Sequence, residues 1–166
     1  MSAARPVRVE VSRLVPVEAS VAYAWVADPR THPRFVPLTR LDDGARDGPR
    51  VGDVVTMVSG PGARRGARGI VDRMRVEALE RPSTATARVG RTRMRKLGPV
   101  LLGEAGFDVV PVDTARCRVV WWEEAHLARV RAADPLVRVA LRAMLHVSLD
   151  RLVRALVRTA GAADGR

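Results

Sequence analysis

Polar and apolar positions follow two periods along this chain. Near its start Val7, Val9 and Val11 alternate with Arg8, Glu10 and Ser12, the period of two expected of a half-buried strand. VEASVAYAWVAD then changes to helical spacing, with Val21, Ala24 and Trp25 as the apolar positions of a short amphipathic helix. Asp28-Pro29 can open a second short turn in DPRTHPRF. Pro33 disfavours the α region at His32, so that piece is predicted to be brief and irregular. From Leu38 the text turns to strands: LTRL, VGDVVTMVS, IVDRMRVEAL, TATARVGRTRMR, VLLGEAGFDVVPV and the stretch from Ala115 to Leu127. Turn chemistry separates them, including Asp42-Asp43-Gly44, GPGARRGARG and Arg81-Pro82. Strands at short, regular spacing with few crossover helices predict an antiparallel sheet, in the order β-α-α-β-β-β-β-β-β-α.

The last long stretch, Asp134 to Thr159, is predicted to be a helix laid across that sheet. Asp134-Pro135 supplies an N-cap and a first-turn proline, and no Gly or Pro interrupts the run before Gly161. Leu141, Leu145, Leu149, Leu152 and Leu156 recur at helical spacing. The polar positions shift, from Arg138, Arg142 and His146 in the first half to Asp150, Arg151, Arg154 and Arg158 in the second. At about 100° per residue the apolar face therefore rotates near His146–Leu149. A bend there, a partner or second copy of the chain, a ligand portal and an ordinary wide buried face all remain open.

At 166 residues one domain is expected over 1–166, with a core from about residue 5 to 160 and tails beyond it without fixed structure. One cysteine, Cys117, excludes an internal disulfide and suits a reducing, cytoplasmic setting. No apolar run precedes Arg5, so no secretory leader is expected, and no window approaches the ~18 apolar residues of a membrane span. The net charge of +11 is the composition of a nucleic-acid or anionic-membrane binder. Its makeup weakens that reading: of 29 basic residues only Lys96 is not arginine, Asn and Gln are absent, and Ile70 is the sole isoleucine, as GC-rich coding would give. Two denser basic groups stand out, Arg64, Arg65 and Arg68 in a Gly-rich loop and Arg91, Arg93, Arg95 and Lys96.

Three stretches share a familiar order and spacing. They are VPVEASVAYAWVADPRTHPRFVP, with Val21, Tyr23, Trp25, Asp28, His32 and Pro33; FDVVPVDTARCRVVWWEEA, with Arg118, Val119, Trp121 and Glu123; and LDRLVRAL in the final helix. Over nearly its full length the chain resembles the START-like, polyketide cyclase/dehydrase superfamily. That resemblance implies an α+β helix-grip fold: a curved antiparallel sheet of about seven strands wrapped around a long C-terminal helix, two short helices after strand 1, and an apolar cavity between sheet and helix. It does not choose among carriers, receptors and cyclases, since fold alone leaves function open. No catalytic signature carries over by motif.

Period-two alternation sorts the candidate residues by face. Cys117, Val119, Trp121, Glu123 and Ala125 share one side of the last strand, and Arg118, Val120, Trp122, Glu124 and His126 the other. Arg118 and Glu124 mark the second side as outer, so Trp121 and Glu123 are predicted to point inward. Phe107 and Val109 follow by the same rule, as do Met74 and Val76 with Asp72. With Leu141, Met144 and Leu145 of the helix, these form the expected wall of a hydrophobic small-molecule site. Glu123 and Asp72 are the catalytic candidates, as inward carboxylates able to orient a hydroxyl or act as general acid or base. The plainer alternative puts each at a strand end in water or against an arginine. His32, His126 and His146 lack metal-ligand spacing, Cys117 stands alone, and GPGARRGARG lacks the spacing of a phosphate loop, so neither metal nor cofactor is expected. Three functions follow: binding a hydrophobic lipid, isoprenoid or polyketide; polyketide cyclisation or dehydration by cavity carboxylates; and salt-sensitive binding of nucleic acid or anionic membrane by the arginine groups.

Overall fold

After the second strand no α-helix crosses between the described strands, and nearly every strand lies beside its sequence neighbour. The computed structural model describes residues 8–44, 46–127 and 134–164. Its elements are β1 (Arg8–Val15), α1 (Ala19–Ala27), α2 (His32–Phe35), β2 (Thr39–Asp43), β3 (Val54–Ser59), β4 (Ile70–Glu80), β5 (Gly90–Pro99), β6 (Leu101–Pro111), β7 (Cys117–Leu127) and α3 (Asp134–Asp164). The seven strands make one antiparallel sheet ordered β1-β7-β6-β5-β4-β3-β2. Only β1 crosses over, pairing with β7 so that Val9 lies opposite Glu123 and Val11 opposite Trp121. The curved sheet grips α3, which is the helix-grip fold.

Two apolar clusters fill the concave side. One joins β1, β6 and β7 to α1 and the second half of α3, through Val11, Val109, Val119, Leu145, Leu149, Leu152 and Leu156. The other lines β3, β4 and β5 with Val55, Met57, Met74, Val76 and Met94. Fully burying one such side chain contributes roughly 1.5–3 kcal/mol. The convex side has its own packed point at Trp122. This ring is buried, although it faces outward, because Arg8 and Arg93 stack on it at 4.6 and 5.7 Å. Gly106 lies under it: a Cβ there would sit 2.7 Å from Trp122 Cζ2 and 2.3 Å from the Thr92 carbonyl oxygen.

Three sequence expectations change. The buried side of α1 is Ala22, Tyr23 and Val26, while Val21 is exposed, so the expected Val21–Ala24–Trp25 stripe is displaced. Trp25 is half-buried: it packs against the core and lies beneath the Arg34 guanidinium at 5.5 Å. His32 begins α2, because Pro33 falls in the first turn, where a missing N–H costs nothing. The final helix does not stop before Gly161 but runs to Asp164, since one exposed glycine costs a helix only about 1 kcal/mol. The side chain of Asp134, residues 1–7 and residues 165–166 lie outside the described part, as does the expected start of the first strand at Val7.

Candidate functional site

Between the two clusters lies a cavity of about 340 Å³. Phe107 and Trp121 form one wall, with ring centroids 4.7 Å apart, and Phe35 packs edge-on behind Trp121 at 6.2 Å. Met57, Met74 and Met94 form the opposite wall on β3–β5, and Val137, Ala140, Leu141 and Met144 of α3 close the top. Thioether and aliphatic surfaces of this kind adapt to irregular apolar molecules.

The sheet also turns three charged side chains into this space. Lys96 Nζ lies 2.5 Å from Asp72 Oδ2 and 3.4 Å from Glu123 Oε2. All three are enclosed, with side-chain exposures of 2% for Lys96, 16% for Asp72 and 6% for Glu123. Register explains how residues on β4, β5 and β7 meet. Lys96 pairs with Gly103 and Glu123 with Ala105, so the intervening β6 carries only these small residues between them. Gly103 has no room for a side chain, as a Cβ there would lie 1.8 Å from the Glu124 carbonyl oxygen. Lys96 therefore reaches across β6 unobstructed.

Burial pushes the Glu123 carboxyl above its ordinary value; Lys96 opposes that shift and Asp72 adds to it. Burial also acts against the Lys96 ammonium, but Glu123 and Asp72 outweigh it and raise Lys96. The lysine is thus held as a cation and is a poor amine nucleophile. His32 is buried at the cavity edge, with Nε2 3.1 Å from the Val26 carbonyl and its ring against Phe35 and Phe107. A carbonyl only accepts, so Nε2 carries the proton. Burial lowers the imidazole's pKa and keeps it neutral, leaving Nδ1 as an acceptor.

The sequence candidates divide cleanly by position. Glu123, Asp72, Trp121, Phe107, Met74, Leu141 and Met144 line the cavity. Val109, Val119 and Leu145 do not: they are fully buried in the cluster beneath α1 and the second half of α3. Val76 lies in the other cluster, below Met74 and Met94. Their faces are as expected, but the cavity occupies only one end of the sheet. Neither carboxylate sits at a strand end in water or against an arginine; each is paired with Lys96. Lys96 and His32 are the site residues that sequence reasoning missed. Alternation with Thr92 and Met94, both inward, was the available signal for Lys96.

That position removes Lys96 from the basic surface group. The neighbouring arginines point outward, where Arg91 pairs with Glu80, Arg95 with Glu77 and Glu104, and Arg93 covers Trp122. Arg64 donates to the carbonyls of Pro33 and Val36, tying its loop to α2. Among the described residues no group of histidine, cysteine and carboxylate side chains could hold a metal, and no helix is long and apolar enough to cross a membrane. Cys117 is fully buried in the core, and burial pushes its thiol up to about 11. We expect thiol reagents to leave Cys117 unlabelled at pH 8 and to modify it once denaturant unfolds the chain; rapid native labelling, followed by mass, would contradict this burial.

Residues 6–157 match the family model described as polyketide cyclase / dehydrase and lipid transport. The chain belongs to this family. No curated protein matches it in sequence. Among solved structures, the Zhui aromatase/cyclase from a Streptomyces species is similar at 14% identity and TM-score 0.69, covering 95% of this chain and 97% of that one. A START superfamily protein from Mycobacterium smegmatis is similar at 13% identity and TM-score 0.67, covering 92% and 98%. Norcoclaurine synthase from Thalictrum flavum is similar at 15% identity and TM-score 0.63, covering 96% and 99%. At such identities the likeness shows a shared fold. It does not transfer activity from any member of the polyketide cyclase/dehydrase family to this one.

Proposed function

We propose that this protein binds a hydrophobic small molecule, of lipid, isoprenoid or polyketide type, in the cavity between its sheet and α3. The observation that carries the reading is the cavity itself: about 340 Å³ walled by paired aromatic rings, three methionines and the apolar first turns of α3. Such a volume falls within the range of small-molecule sites, and its few polar groups converge at one place. Family membership supports the same reading, and a single buried thiol accords with a reducing, cytoplasmic setting. Native mass spectrometry of the purified protein, followed by organic extraction, tests it. An apolar compound released at near-unit stoichiometry is the expected result. A protein that purifies empty and binds no member of a panel of lipids, quinones and polyketides would remove the reading.

The buried Glu123 beside Lys96 favours a second reading, in which the bound molecule is cyclised or dehydrated. A carboxyl whose pKa is raised by burial keeps its proton to higher pH than a free one and can give it to an enolate or a departing hydroxyl, with Trp121 and Phe107 fixing the ring. Glu123→Gln keeps the shape but not the acid. If Glu123 is the acid, kcat falls by roughly 10²-fold or more, a larger loss than any accompanying change in ligand affinity. Turnover that survives the substitution would exclude this role.

A further inference from the structure

The cavity's polar end is rich in acceptors and short of donors. An ammonium has three N–H groups, and those of Lys96 are directed at Asp72, at Glu123 and, at 4.0 Å, at the Met74 sulfur. None is left for an incoming anion. The N–H of His32 is held by Val26. Thr39 donates to the Pro37 carbonyl, and the hydroxyls of Thr39 and Ser59 share a 2.7 Å bond. The Thr92 oxygen accepts from the Phe107 amide at 3.0 Å, which leaves its own O–H as a remaining side-chain donor.

Acceptors, by contrast, are in surplus. Asp72 Oδ1 is buried and accepts no hydrogen bond among the described residues, while Glu123 Oε2 has only the Lys96 ammonium, at an ion-pair distance of 3.4 Å. Two carboxylates face one ammonium, so full ionisation leaves a net negative charge in an apolar enclosure. A ligand carboxylate or phosphate would add to that charge, whereas a hydroxyl would supply the missing donor.

We infer that Asp72, Lys96 and Glu123 form a head-group subsite that selects an apolar molecule bearing a hydroxyl at its buried end and rejects carboxylates and phosphates. The inference rests on the cavity-binding reading and goes beyond it by naming the chemistry of the ligand's polar end. Lys96 acts here as a positioning residue: it holds the two carboxylates in place and is not itself the ligand's partner.

Calorimetric titration of the full chain at pH 7 with three probes of nearly equal size tests it. The probes are a naphthol, its methyl ether and the corresponding naphthoate, substituted at the same ring position. The naphthol both donates and accepts, the ether only accepts, and the naphthoate is an anion. We expect the naphthol to bind roughly tenfold or more tightly than either of the others, the loss that accompanies an unpaired buried acceptor. In the Asp72→Asn/Glu123→Gln double variant, amide N–H groups replace the surplus acceptors, and the naphthoate should gain on the naphthol. Naphthoate or ether binding wild-type protein as well as the naphthol would overturn the subsite while leaving the cavity reading intact. Failure of all three to bind would count against the cavity reading itself, and the subsite would fall with it.

Discussion

Lys96→Met is expected to destabilise the fold by about 3 to 5 kcal/mol, the loss typical of removing one partner from a buried ion pair. The reason is local. Methionine fills the lysine's space, but Asp72 and Glu123 then lie together in an apolar enclosure without a cation. Replacing all three members, with Asp72→Asn and Glu123→Gln added to Lys96→Met, is expected to restore most of the lost stability, since it removes the uncompensated charges as well. The exposed Arg95–Glu77 pair makes the contrast. Its contact is as short, at 2.5 Å, but both side chains reach solvent, so Arg95→Met should change stability by less than 1 kcal/mol. Urea unfolding of the four proteins measures all of this. A Lys96→Met variant as stable as wild type would mean that the triad is hydrated or open.

Proton linkage gives the same experiment a second axis. Glu123 has its pKa raised in the folded state, so above its ordinary value near 4.5 the native protein holds a proton that the unfolded chain has released. Stability contributed at Glu123 therefore declines as pH rises through that window, and Glu123→Gln should flatten the decline. Lys96, raised above its ordinary 10.5, contributes in the opposite range: its stabilisation is complete below that value and is lost as pH rises through the folded pKa. Lys96→Met should steepen the Glu123 decline above that carboxyl's ordinary value, because Glu123 then loses the cation that opposes its raised pKa.

The fold was legible because it rests on alternation. Val9 and Val11, Trp121 and Glu123, and Met74 and Val76 each take the face that period two assigns them. Their neighbours Arg8, Glu10, Arg73 and Arg75 are exposed as the pattern requires; outward-facing Trp122 is the exception, covered by two arginines. The site was legible only in part, for two physical reasons. Lys96 follows Arg91, Arg93 and Arg95 in a run that reads as a charged surface, yet it stands one residue out of step with them, so the alternation that exposes the arginines buries the lysine. The partners of a buried charge are long-range contacts, and no local pattern on β5 announces an aspartate on β4 or a glutamate two strands away on β7. Depth was illegible as well. Val109 and Val119 share a face with Trp121 and Glu123, and Leu145 shares the apolar face of α3 with Leu141, yet only the packing of α1 and α3 decides which of them touch the cavity.

Leu149→Ala is expected to cost about 3 to 5 kcal/mol, whereas Leu136→Ala, on the same helix, should cost almost nothing. Leu149 is fully buried, together with Leu145, Leu152 and Leu156, between α3 and the strands that α3 grips. Truncation there removes the transfer free energy of the lost atoms and leaves a void that a sheet pinned by hydrogen bonds on both sides closes poorly. Leu136 is 73% exposed and Val139 is 66% exposed, so little burial is lost when either is shortened. This difference gives physical content to the rotation of the helix's apolar face. From Leu145 onward α3 is core, and its removal unfolds the grip. Before Leu145, Val137, Ala140, Leu141 and Met144 cover the cavity, with a ligand-sized space below them in place of packed side chains. The first turns should therefore open at lower free energy than the rest, and amide hydrogen exchange should show protection rising from Leu136 to Leu149 along one continuous helix. An occupied cavity should raise protection of those first turns and leave the second half unchanged. Uniform protection along α3, with equal costs for Leu136→Ala and Leu149→Ala, would contradict the division of the helix into a cover and an anchor.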